Sequence, residues 1–157
     1  MTESAPIRIV QDDVTHPDVI ALLEYHLTQA FANSPPGSVF ALDLSRLRAP
    51  ETTLWSAWEG ETLLGLAALK TLDADQGELK SMRTAPAQLR RGVAAQLLAH
   101  VMAEARARGL AQLSLETGTS EPFAAAHALY RRAGFVPCGP FADYVDESFS
   151  AYFTRGI

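Results

Sequence analysis

The chain has 157 residues, of which 48% are hydrophobic and 20% charged, and its formal net charge is −5. These values are typical of a globular domain, and they exclude collagen, an intrinsically disordered chain and a disulfide-stapled scaffold. The single cysteine, Cys138, has no intramolecular partner, which favours a reducing, cytoplasmic location.

The charge is unevenly distributed along the chain. Residues 1–78 hold 12 acidic and 4 basic side chains, whereas residues 79–157 hold 6 acidic and 9 basic ones. A net acidic chain is a poor nucleic-acid binder, so no nucleic-acid partner is expected. The basic side chains between Lys80 and Arg108 suit a small anionic ligand, and a solvated helix face is the plain alternative.

Two further ligand classes are not expected. The four histidines, His16, His26, His100 and His127, are scattered and have no zinc-ligand spacing, so no metal is predicted. The chain has no apolar run of about 18 residues, so no membrane partner is predicted, and its first ten residues lack the pattern of a signal peptide.

The first half of the chain predicts a strand, a helix and a hairpin. Residues 7–10 read as a strand, and Thr15 is the predicted N-cap of a helix whose apolar side chains recur at helical spacing to Ala30. Residues 33–38 read as a loop and residues 38–47 are ambiguous, with a short helix as one option. Two strands follow at 53–58 and 62–72, joined by a turn at Gly60.

The second half alternates strands and helices. A strand is predicted at 78–84, and a helix follows whose apolar stripe ends before Gly109. A strand at 112–117, a helix at 123–133 that ends at Gly134, and closing strands at 135–138 and 151–154 complete the pattern. This order predicts a mixed sheet in one α/β domain that spans residues 1–157.

The chemistry is carried by a strand, loop and helix. The strand ends in Met82-Arg-Thr-Ala-Pro86, and the helix begins after Leu89-Arg-Arg-Gly-Val-Ala94. The first N–H groups of a helix have no backbone partner, so they and the helix dipole form an anion site. Gly92 and Ala94 let a phosphate approach the backbone. Neither the P-loop pattern nor the three-glycine dinucleotide pattern is present.

These two segments resemble the acetyl-CoA loop of the GNAT superfamily of N-acetyltransferases. A second segment, Ala126-His-Ala-Leu-Tyr-Arg-Arg-Ala-Gly-Phe135, is similar to the Ala-x-x-Leu-Tyr-x-x-x-Gly-Phe segment of that family. The two occur in the expected order. The resemblance implies a single GNAT-like domain, with a mixed, mostly antiparallel central sheet flanked by helices.

The resemblance also implies that acetyl-CoA binds as the acyl donor, without a metal. The implied binding residues are Met82, Arg83, Thr84, Leu89, Arg90, Arg91, Gly92, Val93, Ala94 and Ala126. The sequence departs from the family pattern at Leu89, where a Gln or Arg is usual, and at Phe123, where many members have Asn.

Two catalytic residues are implied. Tyr130 takes the family role of the general acid that protonates the departing thiolate of CoA, with a Tyr packed on the sheet as the plain alternative. Glu78 takes the role of the base that accepts the proton of the amine, directly or through water, with a solvent-facing charge as the alternative. Glu116, on a neighbouring strand, is the next candidate for the base.

The implied function is an acyl-CoA-dependent N-acyltransferase. The amine of a small molecule, an amino acid or a peptide would attack the thioester directly, and O-acetylation stays open. The alternative is an acyl-CoA-binding sensor that has the same fold and turns nothing over. The resemblance leaves a homodimer open.

Overall fold

The computed structural model describes residues 6–34, 44–145 and 148–157. Seven strands and four helices follow in the order β1 (Ile7–Asp12), α1 (Pro17–Ala32), α2 (Leu44–Leu47), β2 (Thr52–Glu59), β3 (Thr62–Thr71), β4 (Gln76–Thr84), α3 (Val93–Ala107), β5 (Gln112–Gly118), α4 (Ala124–Arg132), β6 (Val136–Cys138) and β7 (Ser150–Gly156).

The strands form one sheet in the order β1-β2-β3-β4-β5-β7-β6. All neighbours are antiparallel except β4 and β5, which run parallel. The predicted fold class, a mixed and mostly antiparallel sheet with flanking helices, is therefore confirmed. The β2–β3 hairpin turns at Gly60, whose φ of 59° lies in the left-handed region that glycine adopts without strain.

Each face of the sheet carries a hydrophobic core, because alternate residues of a strand point to opposite faces, except where the β2–β3 register shifts between Ala57 and Trp58 and Leu64 is the extra residue of β3. Leu64, Ala67 and Leu69 of β3 join the core that contains α3, whereas Leu63, Leu66 and Ala68 of the same strand join the core under α1 and α2. The predicted apolar stripe of α3 is buried at Val93, Leu97, Leu98, Val101, Met102 and Ala105. The central strands are thus fixed between two layers of helices.

The differences from the predicted elements lie at their ends. The N-cap of α1 is His16, whose ring nitrogen accepts a hydrogen bond from the N–H of Asp18, so the prediction of Thr15 is wrong by one residue. The fourth helix begins at Ala124 after a short 3-10 turn at Glu121–Phe123. A short helix does occupy 44–47, while 35–43 lie outside the described residues.

Candidate active site

The parallel strands β4 and β5 separate soon after they meet. They pair only from Gln76 to Glu78 on β4 and from Gln112 to Ser114 on β5. Beyond these pairs a cavity of about 130 Å³, here the central cavity, lies between them. It is lined by His26, Ala30, Ser34, Leu79, Lys80, Ser81, Met82, Arg83, Glu116, Thr117, Gly118, Phe123 and Tyr130.

A bulge in β4 shapes one wall of the central cavity. The register with β3 shifts so that Ser81 and Met82 both oppose Ala67, and Ser81 has a φ of 52°. A bulge leaves the backbone of its extra residue outside the ladder. The Ser81 hydroxyl is buried and has no hydrogen-bond partner among the described residues. This wall therefore offers both backbone and side-chain groups to a ligand.

Tyr130 of α4 reaches the same cavity. Its ring lies against Phe135 and Phe153, and the side chain is 7% exposed. Burial raises the pKa of Tyr130 to about 12, with the charge of Arg83 opposing the shift and that of Glu116 adding to it. The phenol therefore keeps its proton at neutral pH and is a hydrogen-bond donor.

The two carboxylates considered from the sequence occupy different places. Glu116 lines the central cavity, whereas Glu78 is 2% exposed and is not among the lining residues. The Tyr144 hydroxyl donates to Glu78 Oε2 over 2.5 Å, and Lys80 Nζ lies 3.3 Å from the same oxygen. Lys80 also donates to the Tyr144 hydroxyl over 2.9 Å. Glu78 is thus a buried, paired carboxylate rather than a solvent-facing one.

The sequence offers residues 141–144 as a pocket wall, but it does not predict the contact of Tyr144 with Glu78. Tyr144 lies in the loop after β6, 66 residues from Glu78, and its ring packs on Phe141 and Tyr152. Burial, followed by the charge of Glu78, raises the pKa of Tyr144 well above its usual range. Its hydroxyl therefore remains a donor that fixes the Glu78 carboxylate.

Arg83 lies where the central cavity meets a second opening. Its Nε donates to His26 Nδ1 over 3.0 Å, and its guanidinium group stands 5.7 Å from the centre of the Tyr25 ring. Burial and then the charges of Arg83 and Lys80 lower the pKa of His26 to about 3. His26 is therefore neutral, and it accepts from Arg83 rather than repelling it.

The second opening is a cleft of about 400 Å³ at the start of α3, here the α3 cleft. Met82 and Arg83 line both this cleft and the central cavity. The other lining residues of the α3 cleft are Thr84, Gln88, Leu89, Arg90, Gly92, Val93, Ala94, Ala95, Ala125, Leu129 and Arg132.

Eight of the ten predicted binding residues line the α3 cleft, and Arg91 and Ala126 do not. Arg91 points elsewhere: its Nη2 lies 2.5 Å from Glu59 Oε2, and its Nη1 donates to Gln88. Ala126 packs against the core, while its neighbour Ala125 lines the cleft. The ion pair with Glu59, at the end of β2, thus engages the Arg91 guanidinium, which the sequence assigns to the anion site of the loop.

The start of α3 has open backbone donors. Gly92 is the N-cap, no side chain caps the helix, and its first turn holds no acidic residue. Gly92 and Arg90 have φ values of 76° and 66°, and a Cβ at Gly92 would meet nothing within 4 Å. Successive backbone N–H groups in such turns form a concavity that suits an anion.

No helix in the described part of the chain is long and apolar enough to cross a membrane. Within the same residues, no three His, Cys, Asp or Glu side chains gather as they would around a metal ion.

Comparison with known proteins places this geometry among acetyltransferases. Residues 19–135 match the model of the Acetyltransferase (GNAT) family. The chain is 56% identical over 136 residues to Uncharacterized N-acetyltransferase YedL of Escherichia coli (strain K12), covering 87% of this chain and 86% of that protein. It is 49% identical over 146 residues to Uncharacterized N-acetyltransferase YsnE of Bacillus subtilis (strain 168), covering 93% and 97%.

A solved structure agrees in fold. The GNAT family acetyltransferase of Elizabethkingia anophelis, determined with acetyl-CoA bound, superposes with a TM-score of 0.71 at 19% identity, over 96% of this chain and 98% of that one.

The His26 pKa generates a prediction about acid stability. An unfolded His has a pKa of about 6.5 and takes up a proton below it, whereas folded His26 stays neutral down to about pH 3. Below pH 6.5 the unfolded chain therefore binds a proton at His26 that the folded chain does not bind. The free energy of unfolding falls as the pH falls through this range. His26→Asn keeps an acceptor for Arg83 and does not titrate.

Urea unfolding of both proteins at pH 7.5 and pH 5 tests this. The free energy of unfolding of the wild type should fall relative to His26→Asn by up to about 2 kcal/mol at pH 5. An equal difference between the two proteins at both pH values would contradict the account.

Proposed function

Since the chain belongs to the Acetyltransferase (GNAT) family, we propose that it transfers the acetyl group of acetyl-CoA to an amine, and that residues 1–157 form one N-acetyltransferase domain. One observation carries the proposal: the central cavity, which Tyr130 and Glu116 line, shares two lining residues, Met82 and Arg83, with the α3 cleft. A donor in the cleft and an acceptor in the cavity then meet at the β4 bulge.

Acetyl-CoA fits the α3 cleft in charge and shape. The uncapped N–H groups of α3 and the open space at Gly92 suit the pyrophosphate, and Arg90 and Arg132 add positive charge to the lining. The backbone of 82–84, at the end of β4, suits the amides of the pantetheine arm, which add to it as a strand would. Leu89, 62% exposed in the lining, supplies apolar surface where the family pattern has a polar residue.

The chemistry is a direct attack. The amine nitrogen forms a bond to the thioester carbon, and the carbonyl oxygen takes the negative charge of the tetrahedral intermediate. A backbone N–H near Met82, beside the bulge, is placed to stabilise that oxygen. The C–S bond then breaks and the thiolate receives a proton from the Tyr130 hydroxyl. The acetylated amine and CoA leave, and the Tyr130 phenolate regains a proton from solvent as the base releases the one taken from the amine.

The amine must lose a proton to a base. Glu116 lines the central cavity and is placed to accept the proton directly. Glu78 is outside the lining and is paired with Lys80. We therefore assign direct proton acceptance to Glu116, and Glu78 is the candidate for acceptance through a water molecule. Positioning and proton transfer together supply the catalysis.

The rival function, a sensor that binds acyl-CoA without turnover, predicts binding and no acetylated product. The Tyr130 hydroxyl, a donor, and the Glu116 carboxylate in the lining of the central cavity favour turnover over sensing. Release of free CoA thiol that depends on an added amine separates the two functions.

Gly92→Glu tests the binding of the donor. The new carboxylate would stand at the uncapped start of α3 and repel the pyrophosphate. Gly109→Glu is the matched control, because Gly109 also has a left-handed φ, of 81°, and open space, at the other end of the same helix. Both substitutions therefore impose a similar backbone strain.

Thermal melts with acetyl-CoA at about 100 times its dissociation constant should raise the melting temperature of the wild type by about 5 °C or more. Gly109→Glu should keep this shift and Gly92→Glu should lose it. An equal shift of the melting temperature in both variants would contradict the assignment of acetyl-CoA to the α3 cleft.

Tyr130→Phe tests the general acid. The variant keeps the ring that packs on Phe135 and Phe153 and removes only the donor. We expect kcat to fall by about 100-fold or more, with the dissociation constant of acetyl-CoA unchanged. Tyr152→Phe is the control, because it removes another buried phenol hydroxyl, which donates to the carbonyl of Val145. Its kcat should fall far less. Similar losses in both variants would contradict the role of Tyr130.

The pH dependence of kcat/KM identifies the base. Glu116→Gln should lower the rate and remove the acidic limb of the profile, because an amide accepts no proton. Glu78→Gln, which still accepts a hydrogen bond from Tyr144, should keep that limb. The reverse result would move the role of base to Glu78.

A further inference from the structure

The central cavity holds a cation, Arg83, that forms no ion pair with any of the described residues. Of the two basic residues in its lining, Lys80 is engaged by Glu78 and Tyr144. Arg83 has no carboxylate within ion-pair distance among the described residues. Its one hydrogen bond there goes from Nε to His26, which is neutral.

Two neighbouring side chains hold the Arg83 guanidinium in place without neutralising its positive charge. His26 fixes the Nε edge, and the face of Tyr25 covers the guanidinium plane. Burial lowers the pKa of Arg83, because removing the guanidinium cation from water disfavours its charged form. The two terminal nitrogens have no hydrogen-bond partner among the described residues, and they form the planar fork that binds a carboxylate through two hydrogen bonds.

A second group in the same cavity, the Ser81 hydroxyl, is also unpartnered within the described part of the chain. Ser81 lies on the same strand as Arg83 and is 8% exposed. Across the gap, β5 places the Glu116 carboxylate in the lining. One wall thus offers donors to an anion, and the other offers a negative charge to an ammonium group.

We propose that the acetyl acceptor is an amino acid with a free carboxylate, which Arg83 and Ser81 bind while its amino group faces Glu116. The proposal rests on the proposed function and narrows it. A peptide N-terminus or a simple amine would leave the Arg83 fork without an anionic partner, whereas a free amino acid satisfies both ends of the cavity. Arg83 is then a specificity-determining residue that binds the acceptor and takes no part in proton transfer.

Matched acceptors test the substrate class. Each of the twenty L-amino acids is compared with its amide, which keeps the amine and side chain and lacks the carboxylate charge, by CoA release and mass spectrometry of the product. For the accepted amino acids, kcat/KM should exceed that of the amide by about 10-fold or more, as expected for a hydrogen-bonded charge pair worth about 1.5–3 kcal/mol.

Variants then locate the carboxylate. In Arg83→Gln the preference for the acid over the amide should shrink to about one, and Arg83→Lys should keep only part of it because it lacks the fork. His26→Asn should keep most of the preference. The ratio of kcat/KM for the acid to that for the amide is measured on one enzyme preparation, so a misfolded fraction affects both values equally and cancels. The ratio of the wild type tests the inference without any variant.

The outcomes separate this inference from the proposed function. Acetylation of amides as well as acids, or of peptides and polyamines but not amino acids, overturns the inference and leaves the acetyltransferase in place. No acetylation of any amine overturns both. A preserved ratio in Arg83→Gln with a raised KM for acetyl-CoA would assign Arg83 to the donor and overturn the inference.

Discussion

The separation of the parallel strands β4 and β5 is the structural constraint on which the rest of the site depends. Two parallel strands that paired along their whole length would leave no space between them. Here three residues of each strand pair, and the strands then diverge. The bulge at Ser81 and Met82 marks the divergence on β4. An opening in the middle of a sheet exposes backbone groups that a ligand must satisfy.

The polar groups around this opening are organised by burial. Glu78, Lys80 and Tyr144 satisfy one another at its closed end, so these charges are paired, as buried charges must be. In the lining of the cavity, Tyr130 is a protonated donor and His26 a neutral acceptor because burial disfavours their charged forms. Arg83 and Glu116 are the charged residues of the lining outside that cluster, and the proposed chemistry assigns the acceptor's carboxylate to the first and its amine to the second.

Local pattern predicted much of this molecule. The stripe from Val93 to Ala105 and the turn at Gly60 are set by neighbours in sequence, and both were read correctly. The loop before α3 was also predicted, except that Arg91 turns to Glu59, 32 residues away. The contacts of Tyr144 with Glu78 and of His26 with Arg83 span 66 and 57 residues. No periodicity encodes such pairs, because they form only when the sheet brings distant segments together.

The central claim is that the thioester of acetyl-CoA lies at the β4 bulge beside Tyr130. A crystal structure of the chain with a non-hydrolysable thioether analogue of acetyl-CoA tests it most directly. The account predicts the pyrophosphate at the start of α3 and the sulfur within about 3–3.5 Å of the Tyr130 hydroxyl, as a reactive geometry requires. A sulfur remote from Tyr130, or an analogue bound outside the α3 cleft, would contradict it.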